Sequence, residues 1–129
     1  MSEYIDTLGS EIIIKARDVE RFIVAMTGEA APEGREAQIE TLDNLFNGYD
    51  CEHTQTTTDK NGDVIHCYQW VCEEGIFRGH HEEFFEDIAP FVTGHVDYLS
   101  NGTPYRFLFE NGKLSIETGE VRFPSSDRW

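Results

Sequence analysis

The sequence predicts an α+β fold, a two-layer sandwich in which about three helices pack on one face of a mostly antiparallel sheet. Three apolar stripes recur at helical spacing, and about six short runs are rich in β-forming residues. Asn-Gly pairs at 101–102 and 111–112 separate the last three runs, as tight hairpin turns do. A length of 129 residues suits one domain, so we expect residues 1–129 to fold as a unit.

The first third of the chain is expected to form a strand and two helices. The β-branched run Glu11–Ala16 predicts the strand, and Asp18 is a suitable N-cap for the helix that follows and ends near Gly28. A loop rich in Ala, Pro and Gly leads to the second helix, which stops at Gly48. The stripe of the first helix is Val19, Phe22, Ile23 and Met26, and that of the second is Ile39, Leu42, Leu45 and Phe46.

A hairpin is predicted next, with strands at Cys51–Thr58 and Val64–Val71 and a turn at Asp59–Asp63. Alternation along its second strand places successive side chains on opposite faces. One face carries His66, Tyr68, Trp70 and Cys72, and the other carries Ile65, Cys67, Gln69 and Val71.

A third helix and a meander complete the predicted fold. The helix runs from His80 or His81 to about Ala89, with Pro90 near its end, and its stripe is Phe84, Phe85 and Ile88. Extended segments then follow at His95–Leu99, Pro104–Phe109, Lys113–Thr118 and Val121–Phe123.

The charge of the chain restricts its partners. With 25 Asp and Glu against 10 Lys and Arg, the formal net charge is −15. Such a surface repels nucleic-acid phosphates and anionic lipid and attracts basic proteins. Disordered acidic segments are poor in aromatic residues, whereas this chain has nine Phe, five Tyr and two Trp, so the acidity belongs to a folded scaffold. We expect a basic protein as partner, with no direct binding to nucleic acid or membrane.

Two helices carry the candidate partner-binding residues. Glu36, Glu40 and Asp43 lie at i, i+4 and i+7 of the second helix, and this row of charges could imitate the regular phosphates of a duplex. The third helix extends the row with Glu82, Glu83, Glu86 and Asp87. The alternative interpretation is that these carboxylates are the solvated faces of amphipathic helices.

A metal site is a further alternative, because soft and borderline ligands cluster in this part of the chain. Zinc would accept such ligands, and they are Cys51, His53, His66, Cys67, Cys72, His80 and His81. However, no CxxC motif is present, and the adjacent residues His66 and Cys67 point to opposite faces of a strand. We therefore expect no metal and no cofactor.

Nucleophilic catalysis would require an activated Cys or Ser, such as Cys67 or Cys72 near His66 or His80. Adjacency in sequence does not establish that geometry, and the glycine signature of phosphate-binding loops is absent around 75–79. The protein is therefore predicted not to be an enzyme.

Aromatic residues of the strands support a second hypothesis, a pocket that binds a small molecule. Its lining would be Trp70, Tyr98, Tyr105, Phe107 and Phe109, with Arg78 or Arg106 as anion contacts. Core packing is the other interpretation. Because Tyr105, Phe107 and Phe109 share one strand face, they should contact the helices or a second subunit, and a homodimer would follow if that face were open.

The N-terminus and the cysteines predict a cytoplasmic protein. The sequence Met1-Ser2-Glu3-Tyr4 has neither the basic nor the apolar region of a signal peptide. Three cysteines, an odd number, suit a reducing compartment better than a disulfide framework.

The C-terminal half resembles small phage and mobile-element proteins in which a helix ending near Ala-Pro leads into an antiparallel meander. The similar segments are Glu86–Val92, His95–Leu99 and Tyr105–Lys113, within residues 80–118. The resemblance implies a ferredoxin-like α+β domain and carries no catalytic residue. In size and charge the chain is also similar to anti-CRISPR proteins and DNA mimics.

The leading hypothesis is a non-enzymatic acidic protein that inhibits a host nucleic-acid-binding defence effector, in the host cytoplasm, by occupying its basic surface. The alternative is a protein that binds or sequesters a small molecule, or a modest enzyme. A third reading is that the acidity serves only solubility.

Overall fold

The structure, a computed structural model, describes residues 3–71, 76–77 and 79–119, and for 3–6, 76–77 and 79–80 it describes the backbone alone. Within these ranges seven strands form one antiparallel sheet, and three α-helices pack on one of its faces, so the predicted α+β sandwich is confirmed. The strands are β1 (Glu3–Lys15), β2 (Cys51–Thr58), β3 (Val64–Trp70), β4 (Ile76–Phe77), β5 (Val92–Ser100), β6 (Thr103–Glu110) and β7 (Lys113–Thr118). The helices are α1 (Val19–Thr27), α2 (Arg35–Asn47) and α3 (Gly79–Ile88).

Strand β1 is central in the sheet, whose order is β2-β3-β1-β5-β6-β7, and the short β4 pairs with the start of β1. Ile12 and Ile14 of β1 are fully buried, because helices cover the face to which they point. If the two-residue β4 is set aside, the succession β1, α1 with α2, β2, β3, α3, β5 follows the β-α-β-β-α-β order. Strands β6 and β7 extend this unit as a meander.

Phe46 of α2 connects all three helices to the sheet. Its ring stacks on Tyr68 of β3 with centroids 3.9 Å apart and on Phe22 of α1 at 5.6 Å. It also meets Phe84 of α3 edge-on at 5.7 Å. Aromatic pairs of this kind add about 1 kcal/mol each beyond the burial of their surface. The positions of α2 and α3 relative to each other are therefore fixed by the core.

The far end of the core is built around Phe85 of α3. Its ring lies 5.2 Å from Phe107 and 5.9 Å from Phe109, both buried on β6. The expectation that this strand face contacts a helix is confirmed for these two residues. Since α3 covers them, the open face on which the homodimer hypothesis depended is not present there.

Several element boundaries differ from those predicted. Strand β1 begins at Glu3, well before Glu11, and a register shift between Thr7 and Gly9 interrupts its alternation. β5 begins at Val92, and the two residues of β4 were not predicted as a strand. Asp18 occupies the N-cap position but makes no capping hydrogen bond, because it ends a 3-10 turn and its backbone is helical (φ −98°, ψ −5°) and not extended; its carboxylate accepts a hydrogen bond from Arg21 at 2.9 Å. The predicted segment Val121–Phe123 lies outside the described residues.

No helix in the described ranges combines the length and the apolar character that crossing a lipid bilayer requires.

Candidate functional site

The acidic residues predicted to bind a partner lie on the helical layer of the fold. On α2, Glu36 and Glu40 are exposed, and on α3 Glu83, Glu86 and Asp87 are exposed while Glu82 is half-buried. Arg35 is the one Lys or Arg in the sequences of α2 and α3. Within the described residues, no ion pair neutralises these six carboxylates. We call Glu36, Glu40, Glu82, Glu83, Glu86 and Asp87 the acidic helical surface.

Two basic residues of the sheet, Arg106 and Lys15, are in contrast paired with acids. Arg106 of β6 binds Asp97 of β5 through two hydrogen bonds of 2.6 and 2.8 Å, which lower the pKa of the Asp97 carboxyl. Lys15 lies 3.3 Å from Asp63 at the other end of the sheet. Arg106, predicted as an anion contact, is thus already occupied by a carboxylate.

Asp43 departs from the predicted row of exposed charges. Its neighbours on the helix include the buried core residues Leu42 and Phe46, so it lies at the border of the buried stripe. The Tyr68 hydroxyl donates a hydrogen bond to Asp43 Oδ1, and His53 Nδ1 lies 3.4 Å from the same oxygen. The carboxylate therefore faces the sheet, with 31% of its side chain exposed.

A β-bulge in β2 brings His53 and Thr56 onto one face. Residues three apart in a regular strand point to opposite faces. Here the pairing register shifts between His53 and Gln55, so that His53 opposes Tyr68 while Thr56 opposes His66. The extra residue at the bulge restores the common orientation. The Thr54 hydroxyl donates to the Cys67 carbonyl at 3.2 Å, which stabilises the bulge.

These residues form a continuous chain of polar contacts, which we call the polar relay: Tyr68, Asp43, His53, Thr56 and His66. Thr56 Oγ1 lies 2.9 Å from His53 Nε2 and 2.8 Å from His66 Nδ1. Thr56 is exposed and His53 half-buried, whereas His66 and Tyr68 are 2% and 1% exposed. Both ends of the relay are thus buried, and Thr56 within it reaches the solvent.

One assignment of donors and acceptors satisfies every contact of the polar relay. The Asp43 carboxylate accepts from the Tyr68 hydroxyl, so His53 presents Nδ1–H to it and keeps the lone pair of Nε2 free. The Thr56 hydroxyl then donates to His53 Nε2 and accepts from His66 Nδ1–H.

Electrostatics agree with this assignment. Burial, followed by the neighbouring His53, lowers the pKa of His66, which favours its neutral form. Burial and the hydrogen bond to Asp43 raise the pKa of Tyr68, which keeps its donor proton in place.

Among the described residues, the candidate metal ligands do not assemble into a site. In residues 3–71, 76–77 and 79–119 no group of three or more His, Cys, Asp or Glu is arranged to hold a metal ion. Cys51 is buried, with its Sγ 3.7 Å from the Tyr49 carbonyl, and the buried His81 has Nε2 2.8 Å from Asp50. Cys72, Arg78 and the side chain of His80 lie outside the described residues.

A thiol nucleophile is also not formed by the described cysteines. Cys67 and His66 are adjacent on β3 and point to opposite faces, as the alternation predicts. Cys67 is buried, and this burial raises its pKa, so it lacks the exposed thiolate that such chemistry requires.

Aromatic residues proposed for a pocket are mostly core residues. Trp70 and Tyr98 are buried and pack against each other at 6.0 Å, whereas Tyr105 is half-buried and stacks on Tyr98 at 5.6 Å. Tyr105 and Arg106 together line an open depression of about 310 Å³, and Tyr98 and Tyr105 line another of about 460 Å³. A larger open cleft, of about 720 Å³, lies between α1 and the loop before α2, where Val24 and Pro32 form part of its wall. Trp70 does not line this cleft.

Sequence reasoning missed the contributions of Thr56 and Tyr68 to a site. The signal in the sequence is the polar segment from His53 to Thr56 on one strand of the predicted hairpin, with His66 on the other strand. It was insufficient because the unbulged alternation separates His53 from Thr56.

Comparison of the chain with protein-family models, with curated proteins and with solved structures finds no match. What the protein does must therefore be inferred from its own residues.

Proposed function

We propose that this chain is an acidic binding protein that occupies a basic surface on a nucleic-acid-binding protein. The observation that supports the proposal is the acidic helical surface, whose six carboxylates lie on α2 and α3, two helices with Arg35 as their one Lys or Arg. Charges clustered in this way attract a cationic partner over long distances.

The scaffold suits this role because it holds the charges in a fixed arrangement. Phe46 of α2 and Phe84 of α3 contact each other in the core, and Tyr49 stacks on Phe84 at 4.1 Å. The entropy of ordering the two helices is therefore lost during folding and not during binding. A preorganised surface of this kind favours rapid and specific association.

Specificity requires contacts beyond charge, since electrostatics mainly sets association rates and excludes wrong partners. The cleft between α1 and the loop before α2 adjoins the start of α2. Val24, which is 48% exposed, and Pro32 offer apolar surface there. We assign to this cleft the uncharged part of the interface.

A host defence effector that binds DNA or RNA is the partner class that fits best. Such effectors hold phosphates on arrays of Lys and Arg, and a competitor for that array must present fixed negative charges. In this proposal the protein inhibits by excluding the nucleic acid and needs neither a cofactor nor a metal.

The experiment is affinity capture from host lysate with three forms of the protein. The test variant neutralises the acidic helical surface through E36Q, E40Q, E82Q, E83Q, E86Q and D87N. The matched control makes the same change in net charge at six acids elsewhere in the chain, through E11Q, E29Q, E52Q, E110Q, E117Q and E120Q. Circular dichroism establishes that all three forms are folded.

We expect the wild type and the matched control to capture the same nucleic-acid-binding protein and the test variant to lose it. Addition of wild-type protein should then displace nucleic acid from that partner. Equal capture by all three forms, or capture of a protein that keeps its nucleic acid, would contradict the proposal.

A further inference from the structure

The polar relay lies in the β2–β3 hairpin and does not include the acidic helical surface. Its middle part is an ordered triplet: the Asp43 carboxylate at His53 Nδ1, and the Thr56 hydroxyl 2.9 Å from His53 Nε2. A carboxylate on one ring nitrogen and a hydroxyl on the other is the arrangement by which acyl-transfer enzymes activate a hydroxyl nucleophile. We propose that Thr56 is a nucleophile for acyl transfer from small activated esters, with His53 as general base and Asp43 as its orienting residue.

The chemistry follows from the assigned protons. Thr56 Oγ forms a bond to the carbonyl carbon of the ester while its proton passes to His53 Nε2. The imidazolium that results is stabilised by the Asp43 carboxylate. Collapse of the tetrahedral intermediate breaks the bond to the leaving alkoxide or phenoxide, which takes up the proton from His53. Water then attacks acyl-Thr56 with His53 again as base, releasing the carboxylic acid and restoring the hydroxyl.

His66 and Tyr68 hold Thr56 and Asp43 in position around His53. His66 Nδ1–H holds the Thr56 oxygen at 2.8 Å, and the buried Tyr68 hydroxyl holds the Asp43 carboxylate from the other side. Both positioning residues are nearly inaccessible, so the exposed Thr56 is the member that a substrate can reach.

The location of Thr56 determines the class of substrate. β2 is the terminal strand in the order of the described sheet, so one of its edges presents backbone N–H groups that can donate to a developing oxyanion. Thr56 and its neighbours from Thr54 to Thr58 are exposed, on an open strand surface. An open surface contributes little substrate-binding energy, so the reactivity must come from the ester itself, which favours a small acyl group with a good leaving group.

The test uses 4-nitrophenyl acetate with the full chain. Release of nitrophenolate is followed optically, and acid-quenched samples are digested to locate the acetyl group by mass spectrometry. The variants are T56V, which removes the hydroxyl at similar volume, T56S, which retains a hydroxyl, and H53Q. The matched control is H95Q, since His95 is a half-buried histidine of β5 on the opposite sheet face.

We expect an acetyl group on Thr56 in the wild type and H95Q, and on Ser in T56S. The rate above buffer should fall at least about a hundredfold in T56V and H53Q, the lower end of what a positioned general base contributes. Absence of the Thr56 adduct from the wild type, or an unchanged rate in folded T56V, would overturn the proposal. If T56V does not fold, the adducts of the wild type and T56S decide between these outcomes.

Discussion

Tyr68 of β3 and Asp43 of α2 lie 25 residues apart in sequence, and the Tyr68 hydroxyl donates a hydrogen bond to the Asp43 carboxylate. The ring of the same tyrosine stacks on Phe46, one turn further along α2. One buried side chain therefore connects the sheet to the helix through both an apolar and a polar contact.

Removing the hydroxyl tests the polar part of this connection. Tyr68→Phe should lower the free energy of unfolding by about 1–2 kcal/mol, because Asp43 loses a donor while the ring stacking is kept. Urea denaturation measures the change. Tyr105→Phe, at a half-buried tyrosine of β6, is the control and should have a smaller effect. An equal decrease in the free energy of unfolding in the two variants would show that the hydrogen bond to Asp43 adds no stability of its own.

Gly94 is expected to be essential for the pairing of β1 with β5. Its φ is +117°, and a Cβ there would lie 1.8 Å from the carbonyl oxygen of Glu11. Gly94→Ala should therefore destabilise the protein by more than about 2 kcal/mol, since both backbone strain and a steric clash result.

Gly9 of β1 provides the matched control, because a Cβ at this position has no neighbour within 4 Å. Gly9→Ala should change the free energy of unfolding by less than about 1 kcal/mol. Both variants are compared by chemical denaturation. Equal stability of Gly94→Ala and Gly9→Ala would contradict the close approach of β1 and β5 at Gly94.

His66 should make the stability of the protein depend on pH. Burial lowers its pKa in the folded state, so the unfolded chain binds the additional proton. Its stabilising contribution is complete above the ordinary histidine pKa of 6.5 and declines as the pH falls toward the lowered value of the folded state.

Denaturation curves at several pH values provide the measurement. The wild type should lose stability below pH 6.5, and His66→Gln should show a shallower dependence, because Gln does not titrate. His95→Gln keeps His66 and should therefore retain the part of the pH dependence that His66 causes. Parallel curves for the wild type and His66→Gln would contradict the assignment of a neutral, buried His66.

The described cysteines should be unreactive in the native protein. Cys51 and Cys67 are buried, and burial raises the pKa of both thiols, with the Asp50 charge adding to the effect at Cys51. Alkylation by iodoacetamide at neutral pH should be more than about tenfold slower than in denaturant. Mass spectrometry of the peptides resolves each cysteine, and rapid native modification of either residue would be inconsistent with this core.

The fold was largely predictable because its elements have strong local signals. The stripe Val19 to Met26 before Gly28, the stripe of α2 before Gly48 and the two Asn-Gly turns each specify their structure within a few residues. The first part of β1 was not predicted, because its polar residues and the register shift at Thr7/Gly9 obscure the alternation. Strand order depends on contacts between distant residues and has no local signal.

The polar relay shows why the site was harder to predict than the fold. Asp43 has the spacing of an exposed charge, and only the position of Tyr68 across the layer draws its carboxylate inward. His53 and Thr56 meet because of a single bulge, and a shift of one residue exchanges the faces of a strand. By contrast, the exposed positions of Glu36, Glu40 and Glu83 follow directly from helical periodicity.

The dissociation constant of the captured partner, measured as a function of ionic strength, tests the central claim most directly. If the acidic helical surface binds a basic partner, the constant should rise at least about tenfold between about 0.05 and 0.5 M salt, because salt screens the attraction. The variant neutralised on α2 and α3 should bind weakly and show a flatter dependence than the matched control. A dissociation constant that does not change with salt, or equal slopes for the two variants, would contradict binding through this surface.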